Sequence, residues 1–171
     1  MKFPKLALFL FLFQAHDVQL DAYLDYKSHF HPTISENGMV VSQNLESSEI
    51  GTMIMESGGN AVDAAVAVGF SLTTTLPRAG NIGGGGFMLV YIKETEELFS
   101  IDYRSRSSLN SNLEDLFGSK SPAQIQDDDY DLTKYDYKAS AVPGTVYGLL
   151  EAHERFGDLP LEKVLQPVID Q

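Results

Sequence analysis

The chain contains no cysteine. Disulfide cross-links, thiolate catalysis and cysteine-ligated metal sites are therefore excluded, although exported proteins also manage without cysteine and the compartment stays open. Histidine is scarce. His16, His29, His31 and His153 are all there are, and no spacing among them resembles a zinc motif. Basic residues are few: 12 Lys and Arg stand against 24 Asp and Glu, a formal charge of -12. Nucleic acid and anionic membrane surfaces repel such a chain, so neither is expected as a partner. There is no Gly-x-Ser-x-Gly nucleophile elbow, and nothing in the sequence assembles a catalytic triad.

Long apolar runs are also missing. Leu6 to Phe13 is unbroken for eight residues, whereas a membrane-spanning helix needs about 20. Lys2 and Lys5 precede this run and Gln14 to Asp17 follow it as a polar flank. Residues 1–15 thus read as a signal peptide with a basic n-region and a short apolar h-region. The expectation is secretion or delivery to a periplasm, the alternative being an uncleaved anchor that leaves the protein facing outside. Residues 16–37 are polar and aromatic without sustained period, as in a linker or mobile lead-in.

What is present begins at residue 38. Met39-Val40-Val41 is β-prone. Ser42 or Asn44 can cap a helix carrying Ile50, Met53 and Ile54 at helical spacing, and Gly58-Gly59 can end it. Asn60 can cap a second helix, Ala61 to about Thr75, with Asp63 in its first turn and a nearly all-apolar body. Pro77 ends it. Phe87 to Ile92 reads as a strand buried on both faces, Lys93 to Glu97 as a charged turn, and Leu98 to Tyr103 as the antiparallel partner. Residues 105–138 are mostly loop, with one helical turn near Leu113 to Phe117. Pro143-Gly144 precedes a helix from Thr145 to Phe156, on which His153 is expected to be exposed. Gly157 and Pro160 follow, and another helix opens at Leu161. The chain stops at Gln171 inside that helical pattern, so a truncated sequence is expected.

Gly83 to Gly86 is the most conspicuous local feature. No Gly-Lys-Ser/Thr follows, and a helix precedes the glycines while a strand succeeds them, so neither nucleotide fingerprint applies. Two readings remain: close backbone packing, or N–H groups left free for a substrate oxygen. Arg104 ends the second strand in Ile101-Asp102-Tyr103-Arg104-Ser105-Arg106. A guanidinium there can grip a carboxylate through two parallel hydrogen bonds, or it can sit in solvent paired with Asp102.

Four segments carry a resemblance. Gly58-Gly59-Asn60-Ala61-Val62-Asp63-Ala64-Ala65-Val66-Ala67, Ala79-Gly80-Asn81-Ile82-Gly83-Gly84-Gly85-Gly86-Phe87-Met88, Pro143-Gly144-Thr145-Val146 and Val164-Leu165-Gln166-Pro167 are together similar to the γ-glutamyltranspeptidase family, over roughly residues 38–171 as the N-terminal part of a large subunit. The resemblance implies an α/β fold, the αββα sandwich of N-terminal-nucleophile hydrolases, incomplete in this chain. It implies self-cleavage of a precursor into large and small subunits that stay together as a heterodimer. The new N-terminal threonine is the nucleophile and its own α-amino group the base. Glutathione or a similar γ-glutamyl donor is attacked, and the acyl group passes to water or to an amino acid or peptide acceptor. No metal or cofactor is implied. The resemblance places Arg104 at the position that grips the donor α-carboxylate. Many relatives continue Arg-Glu-x-Ala-Pro, whereas this chain has Arg104-Ser105-Arg106-Ser107-Ser108, so Arg106 is a competitor for the role. No catalytic residue can be assigned, since Thr73, Thr74, Thr75 and Thr145 stand in other contexts. Two alternatives stay open: a same-family acylase on non-glutamyl amides, and a non-catalytic short binding or assembly protein. Half a sandwich would expose a large apolar face. The isolated chain is expected to be inactive because the nucleophile lies beyond it, and to give no cooperative thermal transition; a sharp calorimetric transition from it would contradict the second expectation.

Overall fold

In the computed structural model the described residues are 34–171 apart from 113, 115–116, 119 and 126–136. The expected signal segment 1–15, most of the expected linker 16–37, and His16, His29 and His31 lie outside them. Among the described residues no helix is long and apolar enough to cross a membrane. Residues Asn37–Gln171 form one compact unit.

Its elements are α1 (Leu45–Glu56), α2 (Ala61–Thr75), β1 (Phe87–Ile92), β2 (Glu97–Asp102), α3 (Thr145–Phe156) and α4 (Leu161–Ile169). Of the two candidate caps, Asn44 is the one that starts α1; its side chain accepts the Ser47 N–H at 3.0 Å. At the other end Gly58 takes φ 96°. Its N–H donates to the Met55 carbonyl while the Gly59 N–H donates to Ile54, the paired bonds of a Schellman cap. The chain turns there because glycine enters the left-handed region without a Cβ penalty.

The next helix, α2, is the centre of the core. Val66 and Ala67 are wholly buried, and α1, α3 and α4 all pack against α2. Its small residues allow the close approach: a Cβ on Gly69 would meet Leu149 of α3 at 2.9 Å, and one on Gly51 of α1 would meet Val68 at 2.7 Å. Buried hydroxyls join α1 to α2, with Ser47 Oγ 2.7 Å from Ser71 Oγ and 3.0 Å from Thr75 Oγ1.

The two strands form an antiparallel hairpin with Met88 opposite Ile101 and Val90 opposite Phe99. Alternation sends Met88, Val90, Phe99 and Ile101 toward the helices. The opposite face carries Phe87, Leu89, Tyr91 and Leu98, all exposed. The expectation that β1 is buried on both faces is thus corrected for the described residues: the helical layer covers one face only. The turn is Lys93 to Glu96, with Glu96 at φ 56°, and Glu97 already belongs to β2. Met39 to Val41 form no strand; Val40 instead packs against the core. In the 105–138 stretch Glu114 and Phe117 are helical, and 3-10 turns occupy Pro122–Gln124 and Tyr137–Ala139.

His153 is not the exposed residue expected on α3. Its side chain retains 14% exposure and its Nε2 lies 2.8 Å from the Leu159 carbonyl and 3.7 Å from Asp63 Oδ1. Asp63 is wholly buried. Its Oδ2 accepts the N–H groups of Asn60, Asp158 and Leu159 at 3.0, 3.1 and 3.3 Å. One carboxylate therefore closes the capping box of α2 and also holds the turn between α3 and α4. Asp63→Ala is expected to destabilise the full-length protein by about 3 kcal/mol or more, since three N–H groups lose their shared carboxylate acceptor. Chemical denaturation checks this, and an unshifted midpoint would contradict it.

Candidate functional site

The glycine-rich segment and the start of α3 converge on one residue, Tyr103. Past the end of β2 the ladder continues for one more pair. Tyr103 N–H donates to the Gly86 carbonyl at 3.1 Å, and Gly86 N–H returns the bond at 3.3 Å. The Gly84 carbonyl accepts the N–H groups of Gly144 and Thr145, at 2.8 and 3.2 Å, which ties the glycine loop to the first turn of α3.

Side chains have no room here. A Cβ on Gly144 would strike the Tyr103 carbonyl, and one on Gly148, a helical turn later, would strike the Tyr103 ring. A Cβ on Gly85 would fall 2.6 Å from the Tyr103 carbonyl oxygen, and one on Gly86 would meet the ring edge at 2.9 Å. Of the two readings of the glycine run, close packing is the one these contacts bear out. Partial burial raises the Tyr103 phenol above its ordinary value of 10.0, so the ring stays neutral in its glycine-lined slot.

This clamp sets the path of the next three residues. Arg106 pairs with Val142 in an isolated antiparallel bridge, through bonds of 3.1 and 2.7 Å. Between the two anchored points, Ser105 is half-buried against Gly85 while Arg104 and Arg106 are exposed. Both arginines line a cleft of about 320 Å³ with Asp102, Tyr103, Val142, Pro143, Gly144 and Tyr147. The positive end of the α3 dipole adds to the potential at this rim.

Arg104 is where the sequence placed it, at the exit of the second strand. The expected alternative, a side-chain pair with Asp102, is not what forms. Asp102 Oδ1 instead accepts the Arg104 backbone N–H at 3.0 Å. Among the described residues neither Arg104 nor Arg106 has an ion-pair partner. The cleft thus presents two guanidinium groups without ion-pair partners and one carboxylate, a net positive lining that suits an anionic ligand carrying carboxylate. Among the described residues no cluster of His, Asp or Glu could hold a metal ion.

A larger groove, about 680 Å³, runs between α1 and α4. Ile50, Met53, Ile54 and Pro167 form its floor, and Glu46, Glu49 and Asp170 outnumber Lys163 around it. That lining has no convergent set of donors for an anion, so volume alone does not make it the candidate.

Sequence reasoning missed the Tyr103 clamp and Tyr147 at the rim. A signal existed for the first: Gly144 caps α3 and Gly148 follows four residues later, so the two share one side of its first turn. Nothing local marked the contact across the chain that this face makes.

Against known proteins, the sequence model described as Gamma-glutamyltranspeptidase matches residues 47–171. The chain is 41% identical over 138 residues to the glutathione hydrolase proenzyme of Escherichia coli (strain K12), covering 81% of this chain and 23% of that protein. It is 33% identical over 150 residues to the Acylase ACY 1 proenzyme of Pseudomonas sp. (strain V22), covering 85% and 26%. The crystal structure of Helicobacter pylori gamma-glutamyltranspeptidase superposes with TM-score 0.70 at 33% identity, covering 82% of this chain and 38% of that one. The chain thus spans about a quarter of the length of the curated relatives it matches. The fold is α/β, that of the N-terminal-nucleophile hydrolases, of which the described residues hold a helical layer on one face of a hairpin.

Gly148→Ala is expected to push the Tyr103 ring from its slot, at a cost of about 1–3 kcal/mol for overpacking. In the full-length protein the thermal midpoint should fall. An unchanged midpoint would show that the slot is looser than the contacts describe.

Proposed function

The chain belongs to the γ-glutamyltranspeptidase family, and from that premise we propose that the complete protein cleaves the γ-glutamyl amide of glutathione and related donors. The observation that carries the reading is Arg104, unpaired in its cleft and fixed at both flanks by backbone bonds. The guanidinium takes the donor α-carboxylate in a bidentate pair and so aligns the γ-carbonyl for attack.

The nucleophile proposed is the threonine freed at the N-terminus of a small subunit when the precursor cleaves itself. Its hydroxyl oxygen attacks the γ-carbonyl carbon as its α-amino group takes the proton. The C–N bond breaks, and the amine leaves with that proton. Water or the amino group of an amino acid or peptide then attacks the acyl-enzyme and regenerates the threonine. Relatives bear the word proenzyme in their names, which supports the maturation step. Two subunits of one precursor then form the working heterodimer. Lys2, Lys5 and the run Leu6 to Phe13 support export to a periplasm or the medium.

An acylase acting on other amides is the second reading, supported by the 33% identity to an acylase proenzyme. It has no call for a carboxylate clamp, since such substrates need carry no amino-acid head. The full-length protein and its Arg104→Ala variant, assayed on γ-glutamyl-p-nitroanilide, separate the two. The wild type is expected to self-cleave and turn over. The variant should self-cleave but lose kcat/KM by roughly 30-fold to several thousand-fold, the equivalent of about 2–5 kcal/mol. Arg104→Lys should recover only part, because a point charge cannot make the fork. A self-cleaved wild type that ignores the γ-glutamyl donor would transfer the argument to the acylase.

A further inference from the structure

We propose that Arg106 is a second specificity residue of the same cleft, one that selects γ-glutamyl donors carrying another carboxylate beyond the α-carboxylate. The inference rests on the γ-glutamyl reading above and extends it. Residues two apart on extended backbone share a face and lie about 7 Å apart. The chain here is pinned at Tyr103 by Gly86 and at Arg106 by Val142. Ser105 turns inward between them while Arg104 and Arg106 both line the cleft.

No ion pair forms with the second guanidinium among the described residues. Asp102, the one acid lining the cleft, accepts from the Arg104 amide. A donor held by its α-carboxylate on Arg104 therefore meets a second unpaired cation within one residue pair's reach. A second carboxylate on the donor fills that place. Tyr147 of α3, largely exposed at the rim, offers an apolar ring face and a phenol beside it.

Two chromogenic donors test this: γ-glutamyl-4-nitroanilide and γ-glutamyl-3-carboxy-4-nitroanilide, which differ by one carboxylate. The full-length, self-cleaved wild type, Arg106→Gln and Arg106→Lys are compared on both. Arg106→Gln is expected to lose about 10-fold or more in kcat/KM on the carboxylated donor and to stay within about twofold on the other. Arg106→Lys should retain part of the preference, and the wild-type preference should shrink as ionic strength rises. Equal losses on both donors would place Arg106 on the α-carboxylate or in the scaffold, and no loss on either would leave it idle; both results overturn the proposal. The Arg106 side chain is exposed, so a thermal midpoint matching wild type confirms that the variant is folded. If the wild type turns over neither donor, the γ-glutamyl reading itself has failed and this inference falls with it; if it turns over both alike, only this inference falls.

Discussion

The rest of the site depends on how closely backbone approaches backbone around Tyr103. Gly85, Gly86, Gly144 and Gly148 leave a slot in which the Tyr103 ring and carbonyl sit where any Cβ would stand. Four glycines in a folded segment carry a conformational cost, roughly 0.5–1 kcal/mol each relative to alanine. Here that cost is offset by ladder bonds from Gly86 and by the Gly84 carbonyl, which receives two N–H groups from the start of α3. A glycine run usually read as a phosphate cradle is in this chain a packing device, and its product is a fixed exit path for the strand.

From that constraint the positioning of charge follows. The α2 core, buried almost on all sides, anchors α3 through Gly69 and Leu149. Asp63 ties the far end of α3 to the same helix. With both ends of α3 held, its first turn can press on Tyr103, and Tyr103 in turn sets the alternation Arg104 out, Ser105 in, Arg106 out. An acidic chain thereby keeps a small spot where two arginines face a single carboxylate, Asp102, which accepts a backbone N–H rather than a guanidinium.

Most of the local structure was legible in the sequence, because its signals are local. Asn44, Gly58 and Asn60 mark helix ends through chemistry confined to one turn, and the hairpin is marked by a charged turn between apolar runs. The family resemblance rested on four segments, three of them glycine-bearing and the last Val164-Leu165-Gln166-Pro167, and the comparisons bear it out. What was not legible depends on contacts between distant residues. His153 looked exposed because the partner that shelters it, the Leu159 carbonyl beside buried Asp63, follows from how α3 meets α2 rather than from helical period. The strand Phe87 to Ile92 looked doubly buried because its outward residues are as apolar as its inward ones. Arg104 stands just past the strand end, as its position in the sequence implied, but the absence of a side-chain pair with Asp102 is a matter of which atom that carboxylate accepts from.

The central claim is that this backbone clamp presents Arg104 to a donor α-carboxylate. The most direct measurement removes the carboxylate from the donor rather than only the arginine from the protein. The full-length enzyme and Arg104→Ala are each assayed on a γ-glutamyl anilide and on the matching 4-aminobutyryl anilide, which lacks only that group. The wild type should favour the γ-glutamyl donor strongly in kcat/KM and the variant should show almost no preference between the two. A variant that keeps the wild-type preference would mean that another residue reads the carboxylate, and the role given to Arg104 would be wrong.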